Sequence, residues 1–213
     1  MIDYERELIF VENPKAASHS ITSSLLGNIQ LHNNSDKRIG TINHNTPSRI
    51  KKAYPKEWNT FNSFVIVRNT WERAVSFFNF YKNIAESEYY KSLTFDLWVQ
   101  LGFPPPKEDH LRAPMHGEGR FDNVLCQLRY AEDVDEVVIL NESNKKKRGQ
   151  ILQKEIERIF SNWNLPPIVI GSYGSHHDTT APHKWQEPTI EKIQKVYSKE
   201  IERFGFTPPK PRT

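Results

Sequence analysis

Leu8-Ile9-Phe10-Val11-Glu12-Asn13-Pro14-Lys15-Ala16-Ala17-Ser18-His19-Ser20-Ile21 decides the fold: an apolar strand runs into a turn carrying a lysine, then into a helix-like pattern with hydroxyls. The same succession returns in Phe64-Val65-Ile66-Val67-Arg68-Asn69-Thr70-Trp71-Glu72-Arg73-Ala74-Val75-Ser76-Phe77-Phe78, with an arginine at the strand end. A strand feeding a helix N-terminus presents backbone N–H groups without intrahelical partners and a partial positive charge, which suits an anion. Two such units, each with a cation and a serine, suggest a ligand with two separate phosphate-like groups.

Outward from these units, strands and helices alternate. The strand at 8–11 leads to a helix over 18–26, and residues 38–43 are a further strand candidate. Pro47 suits the first turn of a short helix reaching Tyr54, where its missing N–H is not needed. Residues 63–67 form the continuous apolar run of a central parallel strand. Thr70 is placed to cap the following helix, whose Trp71, Val75, Phe78 and Tyr81 recur at helical spacing. A helix over 92–101 ends at Gly102 and Pro104-Pro105-Pro106. Residues 107–119 read as a long polar loop, 121–130 as a helix, 137–140 as a strand, and 150–163 as a helix with Leu152, Ile156 and Ile159 on one face. A last strand at 168–170 precedes a loop rich in Gly, Ser, His and Thr. Pro188 then opens a final helix carrying Ile190, Ile193, Tyr197, Ile201 and Phe204. Lys145-Lys146-Lys147-Arg148 reads as the solvated start of a helix. The alternation predicts an α/β fold, P-loop-like, three-layer α/β/α with a central, mostly parallel sheet, in a single domain over residues 1–213.

The chain has 213 residues and a net charge of +3, with basic residues interspersed among acids. That balance fits anionic small molecules and argues against a nucleic-acid footprint. Cys126 is the single cysteine, so no internal disulfide forms; its apolar-periodic surroundings suggest a small buried hydrophobe. The N-terminal stretch is acidic where a signal peptide needs a basic patch and an apolar run, and no segment is long and apolar enough to cross a bilayer. A cytoplasmic location is the expectation.

The first loop has P-loop logic without the P-loop sequence. The nucleotide triphosphate motif requires G-x-x-x-x-G-K-[ST]; here no glycine lies between Asn13 and Leu26, and Lys15 opens the loop. Ala16, Ala17 and Ser18 are small enough for a ligand oxygen to approach the backbone, while His19 and Ser20 add donors in the first helical turn. Wrapping a triphosphate demands backbone angles that glycine adopts most cheaply, and no apolar strand ends in an aspartate suited to magnesium. The loop therefore suits one tetrahedral anion and a bridging oxygen. In the second unit Arg68 can grip a phosphate bidentately, and Ser76, two turns on, can donate to it.

The segment 10–21 resembles the 5′-phosphosulfate loop of sulfotransferases, close to I-F-V-H-I-P-K-T-A-G-T-S of the carbohydrate-sulfotransferase branch. Residues 67–76 resemble the family's 3′-phosphate motif, V-R-D-P-x-x-R-x-x-S, with the same arginine-to-serine spacing. His44-Asn45-Thr46-Pro47, His110-Leu111-Arg112-Ala113-Pro114 and Glu202-Arg203-Phe204-Gly205-Phe206 are similar to later family segments, in the same order. Ala16, Ser18 and His19 stand where the family pattern has threonine, glycine and threonine, and Asn69-Thr70 stands for aspartate–proline.

The resemblance implies 3′-phosphoadenosine 5′-phosphosulfate (PAPS) as donor, the bisphosphate PAP as product, and in-line transfer of the sulfuryl group to a hydroxyl or amine of a small-molecule or glycan acceptor, with no metal demanded. Lys15 would be catalytic, and Lys15, Ala16, Ala17, Ser18, His19 and Ser20 would hold the 5′ end. Arg68 and Ser76 would hold the 3′-phosphate. His44 is the first candidate for the base that takes the acceptor proton, with Glu12 and His110 as competitors. Residues 103–119, with Arg112, would face the acceptor. The loop 172–183 carries His176-His177-Asp178 and His183, but adjacent histidines on an extended segment point to opposite sides. A flap using Ser175 and Lys184 is preferred there to a metal site. Two other readings stay open: a P-loop-like small-molecule kinase, and a non-catalytic sulfotransferase-like protein that binds a nucleotide.

Overall fold

The computed structural model describes residues 1–26, 39–40, 44–84, 88–104, 126–171 and 183–211. Its contacts divide the chain into two compact units, Met1–Val67 with Leu128–Gly174 and Arg68–Gln127 with Ser175–Thr213.

The first unit holds the sheet. Its strands are β1 (Ile2–Asp3), β2 (Leu8–Val11), β3 (Ile39–Gly40), β4 (Asn62–Arg68) and β5 (Glu136–Leu140), in the order β3-β1-β2-β4-β5. β2 and β4 are parallel neighbours, with Phe10 opposite Phe64 and Val11 opposite Val65. β1 is antiparallel to both β2 and β3, so β3, β2 and β4 point one way and β1 alone runs against them. The predicted α/β class with a mostly parallel sheet is therefore what the chain adopts. β1 lies in the acidic N-terminal stretch that carries no strand pattern. Leu8–Val11 and Phe64–Val67 are all 0 % exposed, which identifies central strands covered on both faces. The Phe10 and Phe64 rings stack at 4.9 Å. Ile21 and Leu25 of α1 (Ser18–Leu25) join that cluster, as do Leu152, Ile156, Ile159 and Phe160 of α7 (Lys145–Asn162).

Several boundaries differ from the sequence reading. α2 (Pro47–Ala53) stops at Tyr54, and a second short helix, α3 (Pro55–Thr60), follows because Pro55 can open a helix but not continue one. α7 begins five residues early: Asn144 accepts from the Lys147 N–H at 3.1 Å, drawing the basic run into the first turns. Residues 168–170 are not a strand. Gln153 supplies their pairing instead, donating to Ile168 O at 3.0 Å and accepting from Ile170 N at 2.7 Å.

In the second unit α4 (Thr70–Ile84) buries Trp71, Ala74, Phe77, Phe78 and Tyr81, while Val75 is half-buried. The expected helix over 92–101 is two pieces, α5 (Glu88–Ser92) and α6 (Phe95–Gln100), the second restarted by Thr94, whose hydroxyl accepts from Leu97 N. Phe78 meets Phe95 and Trp98 at 5.7 and 5.5 Å, and Trp71 Nε1 donates to Ile190 O at 3.2 Å. The final helix is likewise broken at Tyr197 into α8 (Glu187–Val196) and α9 (Ser198–Phe204). The helix expected over 121–130 is absent from its described part. Residues 126–127 are irregular, Leu128–Tyr130 make a 3₁₀ turn, and Cys126 is half-buried rather than a core residue. Among the described residues no helix is long and apolar enough to cross a membrane.

Candidate functional site

Parallel strands β2 and β4 end on the same edge of the sheet, the edge at which open α/β sheets take ligands. The loop after β2 is pinned at both ends. Asn13, fully buried, donates its Nδ2 to Ile66 O at 2.8 Å, and its carbonyl accepts from Ala16 N at 3.3 Å and from the Ser18 hydroxyl at 2.8 Å. Between these anchors Lys15 and Ala17 take positive φ, 62° and 65°, with negative φ at Pro14 and Ala16. Alternation of this kind turns successive N–H groups toward a common concavity, an anion nest. The sequence argues that glycine is needed for such angles; here a lysine and an alanine adopt them, at about 1–2 kcal/mol each.

α1 then starts without a side-chain cap at Ala17 and without an acidic residue in its first turn, so neither competes there with an anion. Lys15, Ala17 and Ser20 are half-buried, Ala16 and Ser18 buried, and His19 exposed.

His44 also comes to this loop. Its backbone has φ 54°, and its Nδ1 lies 2.9 Å from the carbonyl of Glu12, three residues before Lys15. A carbonyl only accepts, so Nδ1 is the donor of this bond, and in the neutral ring Nε2 is then the acceptor nitrogen, the tautomer a general base requires. Glu12, the competing carboxylate, is 8 % exposed and lies 3.3 Å from the Met1 amine. His110, Arg112, Ser175 and His176-His177-Asp178 lie outside the described residues.

The β4–α4 turn, in the second unit, is built differently. Asn69, not Thr70, caps α4: its Oδ1 accepts from Glu72 N at 3.3 Å while Nδ2 donates to Thr207 O at 2.8 Å. This helix start is therefore already capped and carries an acid, so an anion there depends on side chains. Arg68 is 17 % exposed, with its guanidinium 3.7 Å from Glu72, and Ser76 is half-buried two turns along.

Behind this turn lies a buried polar cluster that motif reading misses. Glu200, 1 % exposed, accepts from the Thr70 hydroxyl at 2.5 Å, from Gln127 Nε2 at 2.8 Å and from Gln127 N at 2.5 Å. Burial pushes its carboxyl above the usual carboxylate range, opposed by the charge of Arg73 and by these donors. Arg73, 1 % exposed, lies over the Phe77 ring at 4.8 Å. Arg73 stands at the second arginine of the 3′-phosphate pattern, so the sequence marks it; nothing local marks Gln127 or Glu200.

His183 is packed edge-on against Phe95 and Trp185 at 4.5 and 4.7 Å, with Asp96 3.9 Å away, and burial lowers its pKa against the pull of that carboxylate. Lys184 is exposed. Among the described residues no group of three His, Cys, Asp or Glu is arranged to hold a metal ion.

A family model described as the sulfotransferase family matches residues 1–207, a span that includes residues of both units. No curated protein and no solved structure matches the chain.

Proposed function

The chain belongs to the sulfotransferase family, whose members take PAPS as sulfuryl donor, and from that premise we propose that it transfers the sulfuryl group of PAPS to a hydroxyl or amine, a carbohydrate hydroxyl first among them. The observation that carries this reading is the loop between β2 and α1. It has alternating φ signs through Lys15 and Ala17, an uncapped and acid-free helix start, and His44 tied to its entrance. One anion with a bridging oxygen fits such a loop, and the absence of the glycine-rich motif favours sulfuryl over phosphoryl transfer from a metal nucleotide.

In this reading the main-chain N–H groups of residues 17–20 hold the 5′ sulfonate and phosphate oxygens, while the Ala16 N–H, given to Asn13 O at 3.3 Å, holds the shape of the loop. Lys15 stabilises the charge that grows on the bridging oxygen as the sulfur–oxygen bond breaks, an interaction stronger in the transition state than in the ground state. His44 Nε2 takes the proton of the acceptor as its oxygen or nitrogen bonds to sulfur, and PAP leaves with the bridging electron pair. Arg68 and Ser76 bind the 3′-phosphate and reject nucleotides that lack it. Charge on the leaving group is met by these donors, so no metal is assigned.

Calorimetric titration with PAP, 5′-AMP and ATP–magnesium tests the proposal. PAP is expected to bind at least about tenfold more tightly than 5′-AMP, and Arg68→Ala to erase the difference. Preference for ATP–magnesium would transfer the chain to the kinase reading; no binding at all would leave the proposal without support.

A further inference from the structure

Gln127 is 0 % exposed and sits where a neighbouring strand would otherwise be. Its Oε1 accepts from Arg68 N at 2.8 Å and its Nε2 donates to Arg68 O at 2.7 Å, so one side-chain amide completes both main-chain bonds of the residue that ends β4. The same Nε2 and the Gln127 main-chain N–H also donate to Glu200, which receives the Thr70 hydroxyl as well. The residues involved are 59 to 130 positions apart in sequence, yet they converge on Arg68–Thr70.

Two further facts make this more than core packing. Thr70 stands where the family's 3′-phosphate pattern has proline, a residue with no hydroxyl to give Glu200. Asn69 stands where it has aspartate, which could cap α4 but could not donate to Thr207 O. Both departures supply a donor with a distant acceptor, Thr70 to the buried Glu200 carboxylate and Asn69 to the main-chain oxygen of Thr207, so this turn is held from Gln127 and the C-terminal segment.

We propose that Gln127 and Glu200 are positioning residues for the 3′-phosphate: through an amide–carboxylate relay they fix the main chain of Arg68 and thereby set selectivity for 3′-phosphorylated over plain adenine nucleotides. This rests on the function proposed above. A bidentate arginine contact tolerates little displacement, so loosening the main chain weakens the 3′-phosphate contact and leaves recognition of the 5′ end unchanged.

The test is calorimetry on the full chain with PAP and 5′-AMP as probes. In Gln127→Met, of similar size and without the amide, PAP affinity is expected to fall about tenfold while 5′-AMP affinity stays within about twofold. Because Gln127→Met can fail to fold, Thr70→Ala and Thr70→Ser are measured beside it. Thr70→Ala removes a single donor and is expected to lower the PAP to 5′-AMP ratio by about two- to fivefold; Thr70→Ser, which keeps the hydroxyl, restores it. Equal weakening of both ligands, or an unchanged ratio in the folded variants, overturns the proposal. A wild-type chain indifferent to the 3′-phosphate overturns instead the function on which it rests.

Discussion

Replacing His44 by asparagine separates base chemistry from structure. The native ring donates from Nδ1 to Glu12 O at 2.9 Å, on a backbone with φ 54°. Asparagine reaches both conditions: it tolerates positive φ, and its Nδ2 sits at the same δ position and can donate to the same carbonyl. Stability should therefore stay within about 0.5 kcal/mol, or about 1–2 °C in melting temperature. What is lost is Nε2. A positioned general base contributes about 10²–10⁴ in rate, equivalent to about 2.7–5.5 kcal/mol on the barrier. His44→Ala also deletes the anchoring bond, so it should melt lower by about 2–8 °C, from about 1–2 kcal/mol. PAP formation from PAPS, followed against a panel of sugar and phenol acceptors, gives the turnover, and PAP titration gives the affinity. The expected pattern for His44→Asn is turnover down by at least about a hundredfold with PAP affinity unchanged. Turnover within about threefold of wild type would refute the assignment, and parallel loss of PAP affinity would make His44 a ligand-positioning group instead.

Other outcomes follow from the same geometry. Ala17→Gly relieves a left-handed backbone at φ 65° against a larger unfolded-state entropy, so stability should rise by about 0.5–1 kcal/mol; a lower melting temperature would show that the methyl contacts outweigh the strain. Glu72→Gln removes the carboxylate 3.7 Å from Arg68 and should tighten PAP binding by up to about fivefold at low salt, the gain shrinking as salt rises; an unchanged or weaker affinity would mean that Glu72 orients Arg68 more than it competes for it. His183 binds its proton less tightly in the fold than when unfolded, so its contribution is complete above about pH 6.5 and is lost as pH falls through its lowered folded value. Denaturation midpoints should therefore decline below pH 6.5, at no more than about 1.4 kcal/mol per pH unit, and His183→Gln should flatten that limb; an equal slope in the variant would assign the proton elsewhere.

What the sequence made legible follows from where its information is local. Leu8–Val11 and Phe64–Val67 are apolar without interruption because both faces of these strands are covered, and the residues following each are visible as turn and helix start. His44 could be chosen because a histidine before a proline-started helix is a local pattern, although its bond to Glu12 O is not. Breaks within apolar-periodic stretches were harder to see. Tyr197 keeps the hydrophobic phase while its backbone leaves the helix, and Thr94 restarts a helix in a span whose side chains look continuous. Ile168–Ile170 has strand composition, but its bonds go to the side chain of Gln153 rather than to another strand. Pairing by a side-chain amide leaves no periodic trace.

The same mechanism bears on the turn that carries Arg68. Judged locally, Asn69-Thr70 departs from an aspartate–proline pattern and raises the question of a degraded site. In the fold each replacement adds a donor, and each donor has an acceptor far away in sequence, Thr207 O and Glu200. A capped helix with a buried carboxylate behind it is costly to assemble unless every donor is matched, because an unpaired buried carboxylate is penalised far more than a paired one. Glu200 has three matched donors and the charge of Arg73 nearby. Random decay of a disused site would leave such groups unmatched, whereas here the substitutions and their distant partners agree. That agreement argues for a turn kept in working order rather than one left to decay.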